Sequence, residues 1–469
     1  MSDAPAPATT PPINRLRGDL TQGPILKTLL LFSIPTLISN LLQTLNGTIN
    51  SIWVGRLIGN SALAATANVN IIMFLTMAAV FGFGMATTVR VGQHFGARDI
   101  AAARATFGTG VGFCLIISAA VGIAGWLLAE PLLDALGTPG DSRGEALDYL
   151  KVIFLTLPLA TLSIMASMGL RGAGDSRTPL YAMILTVVID IAMNPLLIRG
   201  VGPIPALGIT GSALSTAAAN AAGCVAMIGW IYWKDLPLRL RGAELAWLWP
   251  RREELAYVVT KGLPMGAQML VVSSAGVVMV RLVNHEGAAT AAAYGAALQL
   301  WNYLQMPAFA IGSGVSAMVA QNIGAGHHER VRTITWQGLT ACTAFTMSMA
   351  TLLVVFDRAP LALFLGGDSP ALPIASHMQK IATWSYALTG MMMILSGTMR
   401  AYGAVVAPLV VIFVSLYPVR LGFYYVAYPL IGSEALWWAY PVGSAVSVAL
   451  MAAAYWRPGW RQRRGLARA

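Results

Sequence analysis

Charge is what this chain has least of. Of its 469 residues only 10% are Asp, Glu, Lys or Arg, while 57% are hydrophobic, and mean hydropathy is +0.67. Soluble domains carry roughly a quarter charged residues, so a soluble globular fold is excluded. Cysteine is scarce too. Cys114, Cys224 and Cys342 fall in apolar stretches without metal-ligand spacing, which leaves them as small buried hydrophobes. The five histidines, His94, His285, His327, His328 and His377, stand in loops or near helix ends, and the paired His327 and His328 read as solvated. There is no nucleophilic triad, phosphate loop or nucleotide-binding motif. The chain is therefore read as a non-enzyme with no cofactor and no metal, and any work it does draws on an ion gradient. Residues 1–24 lack the ordered basic, apolar and cleavage regions of a signal peptide and read as a flexible cytosolic tail.

Long apolar runs are what the chain has in place of charge. Runs of transmembrane length, about 20 residues, begin near Ile25, Ala62, Thr106, Ala146, Pro179, Leu207, Ala256, Thr290, Thr333, Ala375, Val405 and Glu434. In lipid every backbone polar group must be paired within the protein, so only helices or a closed barrel can cross. Barrel strands would alternate in segments of about ten residues; these runs are continuous and rich in Leu, Ala and Met. The expected fold is an all-α polytopic membrane protein with twelve transmembrane helices.

The net charge of +11 is a topology signal. Lys and Arg gather in alternate connections: Lys27; Arg90, Arg98 and Arg104; Arg171 and Arg177; Lys234 to Lys261; Arg330 and Arg332; Arg400; and the tail from Arg457. Far fewer fall in the others. By the positive-inside rule both termini are cytoplasmic, in a bacterial inner (plasma) membrane, and no nucleic-acid partner is implied.

Laid over itself, the chain repeats. Pro35 in FSIPTLIS matches Pro264 in KGLPMGAQ, Gln93 in VGQHFGAR matches Gln321 in VAQNIGAG, and Arg171 in GLRGAGDSRTP matches Arg400 in TMRAYGAVVAP, each 228 or 229 residues apart. The organisation expected is a tail (1–24), a first six-helix lobe (25–232), a cytoplasmic linker (233–255), a second six-helix lobe (256–456) and a basic tail (457–469). Six is even, so the lobes are parallel repeats that enclose a cavity and rock about it. A monomer in contact with membrane lipid suffices for that.

Asp190 marks the candidate site. It is the one acid well inside an apolar run, PLYAMILTVVIDIAMNPLLIRG, and Asn194 follows one turn later on the same face. An ionised carboxylate at the bilayer centre costs about 3 kcal/mol or more, which makes function the default explanation. In the first helix Gln43, Asn46 and Asn50 are polar, Asn46 reading as ordinary packing, and Pro35 should kink the helix. On the sixth, Thr210, Ser215, Thr216 and Asn220 could complete a hydrogen-bonded set. In the second half Gln299 with Gln268, Asn302 and Tyr303, the methionines Met265, Met269, Met306 and Met391 to Met393, and the single deep cation Arg420 suit an adaptable pocket.

SIPTLISNLLQTLNGTINSIWVGR, VGQHFGAR, LRGAGDSRTP, ALGITGSALSTA, GLPMGAQ and VAQNIGAG, in this order and in two six-helix halves, resemble the multidrug and toxic compound extrusion family over roughly Ile25 to Trp456. The resemblance implies a secondary antiporter that exports small organic, often cationic, compounds in exchange for the coupling cation H⁺ or Na⁺. Thr216 is singled out by the TGSALST stretch. Members commonly carry an Asp fifteen residues after the first-helix proline, where this chain has Asn50. Many also carry Asn then Asp in the fifth helix, where this chain has Asp190 then Asn194. A Glu placed by another branch in the seventh helix has no counterpart in VVSSAGVVMV. Asp190 is thus the heir to ion coupling, with Asn50, Asn194, Gln43, Thr216, Pro35, Gln299 and Arg420 as coupling or substrate residues. Two other functions compete: a flippase for a lipid-linked saccharide or cell-wall precursor, which would need more cavity cations than Arg420, and an intramembrane enzyme, which would need a convergent catalytic set.

Overall fold

A computed structural model describes residues 18–135, 140–200, 205–457 and 460. Among these every regular element is helical. The first lobe comprises α1 (Ile25–Leu57), α2 (Asn60–Gly96), α3 (Ile100–Leu127), the short α4 (Ala129–Ala135), α5 (Gly140–Gly172), α6 (Arg177–Arg199) and α7 (Gly208–Trp233). The second repeats that order with α8 (Arg252–His285), α9 (Ala288–Gly324), α10 (His328–Val355), the short α11 (Arg358–Leu365), α12 (Ala371–Ala382), α13 (Ser385–Ala401), α14 (Val406–Val414), α15 (Gly422–Ile431) and α16 (Glu434–Trp456).

Eleven of the described spans are long and apolar enough to cross a membrane. The one remaining crossing, tenth in chain order, is α12 with α13, interrupted at Thr383 and Trp384. Polar groups fill the break: Thr383 Oγ1 donates to Gln379 Oε1 at 2.7 Å and accepts from Trp301 Nε1 at 3.1 Å. Buried hydrogen-bonding groups of this kind take up what an interrupted helix frees. The eleventh crossing is continuous, but α14 passes into α15 through a π-helical stretch, Ser415–Leu421, that contains Pro418. Repeat symmetry reaches the turns. Gly59 and Gly287 precede α2 and α9 at φ +126° and +102°, a region only glycine enters without strain.

The lobes meet over the half of the molecule toward the basic end, at which α1 starts and α16 stops, with α2 against α8 as far as Ala78 and Gly266. There the repeat produces a reciprocal latch. Gln93 of α2 donates from Nε2 to the Ala401 carbonyl at 2.8 Å, and its repeat mate Gln321 of α9 donates to the Gly172 carbonyl at 3.1 Å. Helix crossing is equally reciprocal: a Cβ on Gly96 would stand 1.9 Å from the Gln321 carbonyl oxygen, and one on Gly324 1.8 Å from that of Gln93. Leu29, Phe32 and Val89 of the first lobe share a core with Val315, Met318 and Ile334 of the second. Toward the other end the cores part. Val54, Tyr149, Phe154 and Ile209 cluster within lobe 1, and Tyr294, Trp301, Tyr386 and Tyr440 within lobe 2. Separate cores above a shared one make a V that opens away from the basic end.

Two stretches that read as flexible or merely polar are packed instead. Of the proposed tail 1–24, residues 1–17 lie outside the described ones, but Leu20 is buried. Its amide donates to Gln321 Oε1 at 2.9 Å, and its carbonyl accepts from Asn322 Nδ2 at 3.3 Å. The Gly23 carbonyl accepts from Arg330 at 2.6 Å. The segment fits because Gly18 and Gly174 let their backbones touch, a closeness no propensity scale encodes. In the linker, Leu236, Leu238 and Leu240 are buried. Arg104 binds both the Pro237 carbonyl and Glu244, and Glu254 receives Arg90 and Thr106. Exposed Asp235 accepts at both oxygens from Nη2 of Arg241, which holds its carboxyl below the usual carboxylate range.

Each latch hydrogen bond contributes about 0.5–1.5 kcal/mol, so ligand binding can move the equilibrium it sets. Gly324→Ala forces its Cβ against backbone and is expected to spread the basic end. Spin labels at Arg98 and His327, exposed on opposite lobes, should then show a longer-distance population than the parent protein. An unchanged distribution would mean that this contact does not set closure.

Candidate functional site

Asp190 and Asn194 are both 1% exposed, one turn apart on α6. The facing positions on α1, Asn46 and Asn50, have the same four-residue spacing, and the two helices run parallel, so the pairs meet rung by rung. Asn46 Nδ2 donates to Asp190 Oδ2 at 2.8 Å, and Asn194 Nδ2 donates to Asn50 Oδ1 at 2.7 Å. The third wall is α7, whose small residues allow close approach: Gly211 lies against the Leu197 carbonyl and Gly223 against Thr186. From it Ser215 Oγ donates to Asp190 Oδ1 at 2.8 Å, Thr216 Oγ1 reaches the same carboxylate at 3.3 and 3.4 Å, and Ser212 Oγ donates to Asn50 Oδ1 at 2.8 Å. Buried Tyr149 of α5 closes the cluster beside the Asn50 side chain.

Among the described residues every partner of Asp190 is a donor, and none is a cation. An ionised carboxylate is an acceptor alone and gains one donor on protonation, so the Ser215 and Thr216 hydroxyls can reverse roles to receive it. One acceptor stays open: Asn194 Oδ1 is buried with no partner among the described residues.

The residues singled out from sequence divide cleanly. Asp190, Asn194, Asn50 and Thr216 come together. No hydrogen bond among the described residues joins Asn50 to Asp190; Asn50 sits a turn away on Asn194, and Asn46 meets the carboxylate. Ser215 makes a shorter bond to the carboxylate than Thr216. Gln43 is exposed and no hydrogen bond among the described residues ties it to the cluster. Pro35 lies within a continuous α1, buried toward the basic end, and its carbonyl accepts from Ser39. Gln299 is half-buried on α9, in the other lobe. Arg420 too is in lobe 2, its guanidinium 4.4 Å from the centre of the Tyr440 ring.

Sequence reasoning misses Asn46, Ser212 and Tyr149 as site residues. For Asn46 a signal exists, since its spacing to Asn50 copies that of Asp190 to Asn194. Tyr149, far along the chain from α1, α6 and α7, gives none.

Comparison with known proteins fits this architecture. The MatE family signature matches residues 35–196 and again 264–426, once per lobe. The chain is 31% identical over 435 residues to the probable multidrug resistance protein YoeA of Bacillus subtilis, covering 92% of this chain and 94% of that one. It is 26% identical over 403 residues to a protein named FAD transporter from Shewanella oneidensis, covering 84% and 86%. Among solved structures, the outward-facing conformation of a multidrug resistance MATE family transporter superposes with a TM-score of 0.84 at 20% identity, covering 92% of this chain and 95% of that one.

Proposed function

The chain belongs to the MatE family of integral membrane transporters, and on that premise we propose that it exports small organic solutes in exchange for protons. The observation that carries this reading is Asp190: a fully buried carboxylate, unpaired with any cation, whose three side-chain partners all donate to it. A proton asks of these neighbours only that the Ser215 or Thr216 hydroxyl turn round to accept it. Na⁺ would instead need several oxygen lone pairs at once, so the Asn46 amide would have to turn over together with both hydroxyls. The relatives' names as multidrug resistance proteins support an organic, drug-like cargo. The V that opens away from the basic end is one of the two states alternating access needs, and with the basic end in the cytoplasm it faces outward.

The test is transport by the purified protein in sodium-free vesicles, with membrane potential clamped, a pH gradient imposed and ethidium as cargo. Proton-driven concentration of ethidium is expected. Movement that needs a sodium gradient would replace the ion, and flipping of a labelled lipid-linked saccharide without ethidium transport would replace the function. Orientation has its own check. In a cysteine-free background, whole cells treated with an impermeant thiol reagent should label Asp368→Cys, in the connection between α11 and α12, and spare His327→Cys at the basic end; the reverse pattern inverts the topology.

A further inference from the structure

Lobe 2 holds a charge at the place where lobe 1 holds Asp190, and it has the opposite sign. The two family-matched segments start 229 residues apart and end 230 apart, so lobe 2 has gained one residue between them. A π turn is what one extra residue in a helix looks like, and the only one among the described residues is Ser415–Leu421. Before it, Pro179 of α6 aligns with Pro408 of α14. Past the added residue, Asp190 aligns with Arg420. On the next helix GSALSTA at 211–217 on α7 recurs as GSAVSVA at 443–449 on α16, 232 residues apart, but the packing differs, Gly211 lying against Leu197 in lobe 1. Gly443, the mate of Gly211, is where the Arg420 side chain lies, its Nε and Cβ 3.1 and 3.2 Å from an added Cβ.

The two charges differ in how they are met. The carboxylate is saturated by donors, whereas Arg420 has no hydrogen-bond or ion-pair partner among the described residues, and its Nε is buried and unsatisfied. The described acids of lobe 2 nearest the opposite end are engaged elsewhere, Glu286 with Tyr428, Asp357 with Lys380 and Glu434 with His377. What surrounds the guanidinium is aromatic. It stands over Tyr440, whose hydroxyl lies 2.5 Å from that of Tyr294, and Trp301 packs against both rings and against Tyr386. Arg420 also lies eleven residues before the end of α15, roughly 16 Å at 1.5 Å per residue, too deep to reach the far surface. A guanidinium is always charged and presents a planar fork of donors that matches a carboxylate or phosphate.

We propose that Arg420, positioned by the π turn over Tyr440 and beside the Tyr294 hydroxyl, is an anion subsite that takes the carboxylate or phosphate group of the transported solute. This rests on the exporter reading and extends it: besides cations such as ethidium, the cargo includes zwitterions and organic anions, whose acid group lobe 2 holds while lobe 1 handles the proton.

A pair of dyes that differ only at the acid group tests this. Rhodamine 110 has a free carboxylate, and rhodamine 123 is its methyl ester. Their binding to the full-length protein in phosphatidylcholine nanodiscs is read by fluorescence anisotropy. The wild type should prefer the acid, Arg420→Gln should lower the acid-to-ester preference about tenfold, as for loss of one charge-assisted bidentate contact, and Arg420→Lys should retain part of it. Equal affinity of wild type for acid and ester, or equal loss of both in Arg420→Gln, overturns the subsite. If Arg420→Gln does not fold, the wild-type comparison and Arg420→Lys still decide. Repeating the titration with phosphatidylglycerol in the disc separates sources: a lost acid preference assigns the site to a lipid phosphate, an unchanged one to the solute. Vesicle transport of ethidium is scored separately, so failure of the exporter reading leaves the binding result standing, and the converse holds.

Discussion

Asp190→Asn is expected to abolish proton-driven accumulation while the protein still folds and inserts. A one-unit pH gradient supplies about 1.4 kcal/mol per proton, which can sustain about a tenfold solute gradient at one proton per cycle. With no titrating group at 190 that ratio should fall to about one. Folding should survive because Asn has nearly the shape of Asp, and its single carbonyl oxygen can still accept from Ser215 Oγ. The amide of Asn46 needs only to turn over to present its oxygen to the new N–H. The cost is on the order of one neutral hydrogen bond, about 1 kcal/mol. Measured in vesicles at several imposed pH gradients, the mutant should equilibrate its substrate and no more. Undiminished accumulation would remove Asp190 from coupling.

That a carboxylate in this helix matters is legible in the amino-acid sequence, because burying a polar group in an apolar run is costly whatever the fold. The same reasoning finds Asn194, Asn50 and Thr216, which the structure gathers around it, and also Gln43, Gln299 and Pro35, which it does not. Polarity in a membrane helix reveals that a residue needs a partner or water, but not which. Register between helices decides that, and it is set by close approaches such as Gly211 on Leu197, which depend on the whole bundle. Asn46 illustrates the limit: taken alone it is an ordinary packing amide, and only its rung against Asp190 makes it part of the site.

The crossings and the repeat are legible for a similar reason, since both are patterns along the chain. Breaks within a crossing are not. IATWSY at the α12–α13 interruption contains neither Gly nor Pro, and its break is held by Thr383, Gln379 and Trp301, the last from outside the local sequence. Pro418 announces a disturbance in the eleventh crossing but not that one residue has been added. Without that residue the repeat sets Asp190 against Val419, and the matching of a carboxylate with a guanidinium is hidden. Leu20 is a further case: an isolated apolar residue in a polar tail has no period to read, and its burial exists only because the lobes leave it a seat.

The second large effect is expected at Asn50, where the chain departs from the acid its family commonly carries. Asn50 Oδ1 already accepts from Asn194 Nδ2 and Ser212 Oγ, so Asn50→Asp inserts a carboxylate into a site built to donate to it, and the Tyr149 hydroxyl can turn to donate as well. When that carboxylate takes up a proton, the Asn194 amide can turn over and offer Oδ1, the acceptor now buried without a partner. The variant would therefore hold two titrating groups one helical turn apart, both on the path between α1, α6 and α7. If each carries a proton through the cycle, the driving force doubles, and a one-unit pH gradient should sustain a solute ratio of about 100 rather than about 10. The measurement is the steady-state accumulation ratio against imposed pH difference for wild type, Asn50→Asp and Asn50→Ala. The logarithmic slope should rise from about one to about two in Asn50→Asp, while Asn50→Ala, which strands the Asn194 and Ser212 donors, keeps a slope of about one at a lower rate. A slope that stays at one in Asn50→Asp would mean that residue 50 shares the hydrogen bonds of the site but not its protons.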